Sequence, residues 1–242
     1  MQRASNSYVA VIGSFAIFLS ACGGGGGGTA TAPPPAATFN LQQGYVNLVN
    51  AGLTANVNLS GTAVLNGTST PFSGTGTLTL TPAVSATFNN SPALSQTETI
   101  SGTVTVAGQS APYGASVTDY YAAGSGAVLG ESAAHEYDVV QSPFTYPTSV
   151  VGGSSGILGT VSRYTDSSLG VPLGTAQISY AVTAPVDPSS PVSVQFTTKT
   201  YDVQNTLTLT EVTTFSLTSA SVLSFVSDGA QSTSGTLTVT AQ

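Results

Sequence analysis

Apolar and polar residues alternate with a period of two along most of the second half of the chain. In the segment 207–217, one side carries Leu207, Leu209, Glu211, Thr213, Phe215 and Leu217, and the other carries mainly Thr and Ser. The segments 176–182, 192–197 and 236–240 alternate in the same way. This pattern is typical of antiparallel sheet with one buried face, and Thr suits the wet face of a pleated strand. We therefore predict a mainly β fold, with an antiparallel sheet curled into a barrel, half-barrel or sandwich.

A single short helix is expected before the strands. The apolar positions fall on one helical face, with spacings of four, three and one residues: Leu41, Tyr45, Leu48 and Val49. Asn40 is placed to cap the start, and Gly52 can adopt the left-handed conformation that ends a helix. Gly44 weakens the helix by about 1 kcal/mol relative to Ala. The pattern predicts a helix near 40–51, packed against the sheet.

Turn residues mark where the strands reverse. Asn66-Gly67, Asp187–Pro191 and Asp228-Gly229 have the composition of chain reversals. The segment 122–156 is the least regular part of the chain, so it either separates two halves of the sheet or crosses one sheet as a long loop. We favour one β-rich domain over 38–242.

An internal repeat covers two segments whose starts lie 41 residues apart, 59–72 and 100–113. Ser, Gly, Thr, Gly, Ser and Pro match at equivalent positions, and several apolar positions match in kind. Each copy is predicted to form a strand, a Gly-bearing turn and a second strand that begins after Pro. Two copies are too few for a solenoid. The repeat therefore predicts a duplicated hairpin within one sheet.

Charge is too sparse to protect open sheet edges. Only 5% of the residues are charged, and Arg163 and Lys199 are the only basic residues after Arg3. Soluble sheets often block their edges with Lys or with inward charges. The edges must therefore be closed in a barrel, covered by the helix or loops, or interrupted by Pro, and we predict closure or covering.

The beginning of the chain has the pattern of a secretory signal peptide. Arg3 precedes the twelve-residue apolar run Tyr8–Leu19, which would rise about 18 Å as a helix against a hydrocarbon core of about 30 Å. Small residues follow the run, as they do at a signal cleavage site. We assign residues 1–21 to a signal peptide that is removed from the mature protein.

The next residues resemble the lipobox of bacterial lipoproteins, Leu19-Ser20-Ala21-Cys22. The resemblance implies cleavage before Cys22, attachment of diacylglycerol to its thiol, and acylation of its amine, for example with palmitate. Gly23 in place of Asp implies transfer to the outer membrane of the cell envelope, on either its periplasmic or its surface face. Residues 22–37, rich in Gly and Pro, would form the tether.

Composition excludes several classes of partner. Loss of Arg3 with the signal peptide changes the formal net charge from −7 to −8. Such a chain lacks the basic footprint that nucleic acids require, and repulsion from anionic headgroups leaves the Cys22 lipid as its contact with the membrane. A single Cys excludes a disulfide scaffold.

Candidate chemistry is weak. Glu131, His135 and Asp138 would share one face of a helix and could then hold a metal, but a polar loop is the simpler interpretation. We expect no nucleophile elbow of the hydrolase type, in which a strand turns sharply into a helix. The sequence places Asp166, Asp187 and Asp228 in turns, and nothing in it pairs the remaining carboxylates, Glu98, Asp119, Asp202 and Glu211. We predict no catalytic residue, no cofactor and no metal ligand.

Three functions remain open. The first is a lipid-anchored β domain of the cell envelope, a structural or interaction module without catalysis. The second is a carrier of lipid or another apolar ligand in the periplasm, which requires an apolar concavity. The third is a hydrolase, which needs His135 or two carboxylates gathered in a cleft. A membrane-spanning barrel is disfavoured because the polar strand faces carry Thr and Ser.

Overall fold

The computed structural model describes residues 37–242 apart from 66, 186 and 188. The signal peptide, the lipobox and nearly all of the tether lie outside the described residues. One helix, α1 (Leu41–Ala51), precedes thirteen strands. The strands are β1 (Leu53–Leu65), β2 (Thr68–Leu80), β3 (Val84–Phe88), β4 (Ser91–Val106), β5 (Gln109–Ala122), β6 (Val128–Ala133), β7 (Glu136–Phe144), β8 (Ser155–Tyr164), β9 (Pro172–Thr183), β10 (Val192–Tyr201), β11 (Leu207–Leu217), β12 (Leu223–Ser232) and β13 (Gly235–Ala241).

Twelve of the strands form a closed antiparallel barrel. Apart from β2 and β3, which do not pair with each other, each strand pairs with the next strand in chain order; in addition β1 pairs with β13, and β2 pairs with β4. The β2–β4 pairing closes the ring and leaves β3 outside it. Of the three architectures that the sequence allowed, the barrel is the one formed, and closure removes most of the edges that charge could not protect.

The alternation in sequence becomes an alternation between the barrel interior and its outer surface. Phe215 and Leu217 on β11 face inward, with Val194 and Val192 directly opposite on β10. All four are buried. The predicted inward residues Ala176 and Val182 on β9 are buried too, while Thr and Ser dominate the outer surface. Burial of the apolar face contributes about 25 cal/mol per Å² and drives closure of the sheet.

The two repeat copies are adjacent hairpins in the barrel wall. The first is β1–β2, the second is β4–β5, and β2 pairs with β4 between them. A duplicated hairpin in one sheet is therefore confirmed. The two inner strands meet at Gly76 and Gly102, where an added Cβ would clash with backbone across the pair. The prediction that Pro begins each second strand is wrong, since Pro71 and Pro112 lie within β2 and β5.

Helix α1 covers one end of the barrel, here called the helix end. Asn40 caps it by accepting a hydrogen bond from the Gln43 backbone N–H at 2.9 Å, and Gly52 ends it with φ of 71°. Gly44 allows close packing, because a Cβ there would lie 2.9 Å from the Leu217 side chain. The predicted helix, its caps and its packing against the sheet are confirmed. No helix within the described ranges is long and apolar enough to cross a membrane.

A buried glutamine holds the helix against the barrel rim. Strands β2 and β3 pair with successive parts of β4 and are separated by the break Thr81–Ala83. The end of α1 contacts this break, where the Ala83 backbone N–H donates to the Val49 carbonyl. Gln96 on β4 is fully buried at this break. Its side-chain amide donates to the carbonyl of Thr81 at 2.9 Å and to those of Val49 and Leu48 at 3.2 and 3.4 Å.

Two sequence-based assignments of loops are wrong. Asp228-Gly229 lies inside β12 rather than at a reversal, because Asp228 pairs with Thr213 of β11 on one side and with Val239 of β13 on the other. The segment 122–156 is not one long loop, since it contains β6 and β7, which complete the barrel wall. Short strands with bulges on both sides obscured the period-two pattern there. The reversals at Gly67 and Asp187 are confirmed.

Part of β5 keeps an open edge. Strand β5 pairs with β6 only at Thr118–Tyr121, so its residues 109–117 have β4 as their one strand neighbour. Pro112 lies in the middle of this stretch and has no backbone N–H to offer another strand. The prediction of closure or covering is therefore wrong for this stretch, where the edge is neither closed nor covered by another strand and only Pro112 interrupts it.

We expect Gln96→Leu to lower the free energy of unfolding by about 2 kcal/mol, because it removes the buried amide that donates to the carbonyls of Thr81, Val49 and Leu48. In a domain of this size that corresponds to a fall in Tm of roughly 4–8 °C. Thermal unfolding followed by circular dichroism measures the change. Gln177→Leu on the exposed outer face of β9 is the matched control, and equal effects of the two substitutions would contradict the assigned role.

Candidate functional site

The barrel interior collects most of the acidic residues of the chain. By strand register, seven of the ten Asp and Glu residues face inward, namely Glu98, Asp119, Glu131, Glu136, Asp138, Glu211 and Asp228. Arg163 on β8 faces them from the wall, whereas Lys199 lies on the exposed outer side of β10. The interior therefore holds a large excess of carboxyl groups over basic groups.

Three of these carboxyl groups form a row across neighbouring strands, here called the acid row. Asp119 on β5 lies opposite Glu131 on β6, and Glu131 lies opposite Asp138 on β7. Asp138 in turn lies opposite Arg163. Directly opposite residues have Cβ atoms about 4.5–5.5 Å apart, so like charges at these positions repel. The acid row is a run of mutually repelling acids that ends at one guanidinium.

Arg163 satisfies only part of the acid row. Its guanidinium forms an ion pair with Glu136, to which Nε donates at 2.7 Å. The same Nε lies 3.6 Å from Oδ2 of Asp138. Oδ1 of Asp138 is buried and has no hydrogen-bond partner. An unpaired buried oxygen is costly when the carboxyl is ionised, so this position favours the protonated acid.

A second group of carboxyl groups lines a small cavity. Glu98 on β4, Glu211 on β11 and Asp228 on β12 meet across the interior around a space of about 70 Å³. Leu78, Leu80, Phe215 and Phe225 complete its walls with apolar surface. Asp228 also accepts a hydrogen bond from the Thr213 hydroxyl at 3.0 Å. The space holds a few water molecules.

Burial shifts the titration of the acid row upward. Desolvation raises the pKa of Asp119 to about 7. It also raises the pKa of Asp138 to about 8, where repulsion from Glu136 adds to the shift and attraction to Arg163 opposes it. The pKa of Glu131 is raised well above its usual range by burial and then by repulsion from Asp119 and Asp138.

The carboxyl groups at the cavity shift in the same direction. Burial, followed by repulsion from Asp119 and Asp228, raises the pKa of Glu98 to about 8. Burial raises the pKa of Glu211 well above its usual range, with repulsion from Asp228 and Glu98 adding to it. For Asp228 the rise, to about 6, is limited by its hydrogen bonds from Thr213 and Gly229. Protons therefore neutralise much of the interior near neutral pH.

An aromatic cluster separates the acidic interior from the helix end. This aromatic plug consists of four residues: Tyr45 on α1, Tyr121 on β5, Tyr146 just after β7, and Phe196 on β10. The rings of Tyr45 and Tyr146 lie 4.0 Å apart between centroids, and Phe196 lies 5.3 Å from Tyr146. The hydroxyls of Tyr45 and Tyr121 are 3.4 Å apart. A second cavity, of about 160 Å³, lies beside the plug between α1 and the end of β5.

The weak metal candidates do not form the helical arrangement that the sequence allowed. Glu131 and Asp138 lie on paired strands and face inward, but His135 is exposed in the turn that joins those strands. Throughout the part of the chain that the structure describes, no three His, Cys, Asp or Glu side chains are grouped to hold a metal. The expected polar turn around His135 is therefore what the structure contains, flanked by strands.

The acids assigned to turns behave as expected, with one exception. Asp166 accepts from the Ser168 backbone N–H at 2.9 Å. Asp202, which the sequence did not assign to a turn, lies in the connection after β10 and accepts from the backbone N–H groups of Gln204 and Thr206 at 2.9 and 2.8 Å. Asp187 accepts from the Ser189 hydroxyl. Asp228 is the exception, since it faces the cavity.

Sequence reasoning missed the gathering of the acids in the interior. One signal was present, because Glu211 shares its strand face with Leu209, Phe215 and Leu217. An acid on the apolar face of a strand points into the core. The acid row itself depends on which strands are neighbours and on their register, and two of the three ladders between β5 and β8 contain a bulge.

Comparison with known proteins identifies no relative of this chain. No family model, curated protein or solved structure matches the chain. The chemistry must therefore be judged from the site itself. Glycoside cleavage requires two carboxyl groups about 5–9.5 Å apart at a cleft that admits a sugar, and the cavity at Glu98, Glu211 and Asp228 is enclosed and small. The site can bind protons and water.

We expect Arg163→Gln to lower the free energy of unfolding by about 3 kcal/mol at pH 8, because it leaves Glu136 without its counter-charge inside the barrel. The loss should be clearly smaller at pH 4, where Asp138 beside the guanidinium, with its pKa raised to about 8 by burial, is protonated. Urea unfolding at the two pH values measures both. Lys199→Gln, on the exposed outer face, is the matched control, and an equal loss at both pH values would contradict the electrostatic explanation.

Proposed function

We propose that this chain is a lipid-anchored β-barrel of the bacterial cell envelope that acts as a structural or interaction module without catalysis. The lipobox residues Leu19-Ser20-Ala21-Cys22 support the anchor, and Gly23 supports an outer-membrane destination. The barrel supports the second half of the proposal, because its interior is occupied by its own side chains. Contacts with other molecules are then made by the outer surface and the turns.

The far end of the barrel, opposite the helix end, carries the observation on which an interaction role rests. Phe39 pairs with Val150 at the helix end, so the tether arrives there. Within the described residues, six of the ten exposed large apolar side chains lie at the far end, in or beside three of its strand connections, namely Val64, Leu65, Leu169, Val171, Val203 and Leu207. Exposed apolar residues gathered in one region are typical of interaction surfaces.

The length of the tether allows the far end of the barrel to lie away from the lipid anchor. Fourteen residues, 23–36, lie between Cys22 and the described chain, and an extended chain of that length reaches up to roughly 50 Å. The acidic domain is repelled by anionic headgroups. The far end is therefore presented to other components of the envelope rather than to the membrane that holds the anchor.

The carrier and hydrolase alternatives have less support. Sites for small molecules usually enclose about 300–1,000 Å³, whereas the two cavities described above measure about 70 and 160 Å³. Neither has the size of a site for an acyl chain or a sugar ring. The gathered carboxyl groups meet one requirement of a hydrolase, but they lie in a closed interior rather than at a cleft.

Replacement of Cys22 tests the anchor. Cys22→Ala should move the protein from the membrane fraction to the soluble fraction and abolish incorporation of labelled palmitate, because no thiol remains to carry the diacylglycerol. Fractionation and metabolic labelling in the bacterium measure the two effects. Gly25→Ala in the tether is the control and should leave both unchanged. A Cys22→Ala protein that still fractionates with the membrane would contradict the proposal.

The mass of the intact protein tests the choice between module and carrier. Native mass spectrometry of the full chain, released from detergent, should give the mass of the polypeptide with its covalent acyl groups and nothing more. The organic-solvent extract of the same sample should contain no lipid in stoichiometric amount. A lipid bound one to one would favour the carrier instead.

A further inference from the structure

The barrel wall has one section that differs from the rest, namely β5 to β8. Strand β4 pairs with β5 over fourteen residues. By contrast, β5 pairs with β6 over four residues, β6 with β7 over five, and β7 with β8 over four. The first two of these ladders are also broken by a register shift. Few ladder hydrogen bonds therefore hold β6 and β7 in place.

The acid row crosses this same section. Asp119, Glu131 and Asp138 occupy directly opposite positions on β5, β6 and β7, on the inward side. When ionised, each pair adds a repulsion across a ladder that has few bonds to resist it. When protonated, each carboxyl gains a donor and can bond to its neighbour. The same three carboxyl groups thus stabilise the section when they are protonated and destabilise it when they are ionised.

Few groups can offset this repulsion. The ionisable groups that face the acid row are Glu136 on β7, Arg163 on β8, Glu98 on β4, Glu211 on β11, Asp228 on β12, and the hydroxyls of Tyr45, Tyr121 and Tyr146 in the aromatic plug. Strands β1, β2 and β13 contain no charged residue. Lys199 on β10 points outward, and Arg163 is already paired with Glu136.

We propose that the acid row makes β6 and β7 a pH-operated section of the barrel wall, closed when its carboxyl groups share protons and opened when they ionise. Opening separates β6 from β5 beside the edge 109–117, which has no second strand neighbour. It exposes the carboxyl-lined interior through the side of the barrel, while the rest of the ring stays paired. The segment that moves is 128–144.

The sign of the pH dependence follows from burial. In an open, solvated wall these carboxyl groups ionise near their usual pKa of about 4. In the closed wall the pKa of Asp119 is raised to about 7 and that of Asp138 to about 8. The closed wall therefore binds more protons than the open one between these limits. It is most stable below pH 4 and loses stability as the pH rises through that range.

Hydrogen exchange of the full chain in neutral detergent tests the proposal. Protection of 128–144, measured by mass spectrometry and normalised to the unfolded chain at each pH, should fall by about tenfold or more between pH 5 and pH 8.5. Protection of 53–80, which carries no ionisable side chain, should hold over the same range. Constant protection of 128–144, or an equal loss in both segments, would overturn the proposal.

Neutral variants identify the groups responsible. Glu131→Gln keeps the shape of the side chain and should preserve protection of 128–144 at pH 8.5, and Asp138→Asn serves as a second variant. Asp187→Asn removes the same charge from an exposed turn and should behave as the unaltered protein. If Glu131→Gln and Asp138→Asn both lose protection as the unaltered protein does, the acid row is not the cause.

Discussion

Closure of the sheet is the constraint on which the rest of this structure depends. Once β2 pairs with β4, every second side chain of twelve strands must share a confined interior. Seven carboxyl groups enter that space with one guanidinium. Charges that would be harmless on an open sheet become costly there, because burial disfavours ionised groups. The same closure that removes the exposed edges therefore creates the electrostatic problem of the interior.

Local features were predictable from the sequence, and their assembly was not. The helix 41–51 has a strong apolar face and two recognisable caps, and the long hairpins have Gly-bearing turns and clear alternation. Strands β6 and β7 were missed because they are short and bulged, so that the period-two pattern is too brief to detect. The acid row could not be predicted, because Asp119, Glu131 and Asp138 meet only through a register that spans three strands.

The barrel divides its roles between its two ends. At the helix end, α1, Gln96 and the aromatic plug fill the opening with hydrogen-bonded and stacked groups, and the chain leading to the tether begins there. At the far end, short turns and two longer connections carry exposed aliphatic side chains. Proximity to the tether thus coincides with dense packing, and distance from it coincides with exposed apolar side chains. This division agrees with the proposal of a module held at one end and in contact with other molecules at the other.

The adjacent repeat hairpins have a consequence for how the ring is built. A ring in which all neighbours run in opposite directions closes only with an even number of strands. Insertion of a whole hairpin beside its parent adds two strands at once and preserves that parity, whereas insertion of a single strand would force one parallel seam. The pairing of β2 with β4, copy against copy, is the junction that such an insertion produces. Insertion of whole hairpins therefore enlarges the circumference of an antiparallel barrel while the barrel stays closed.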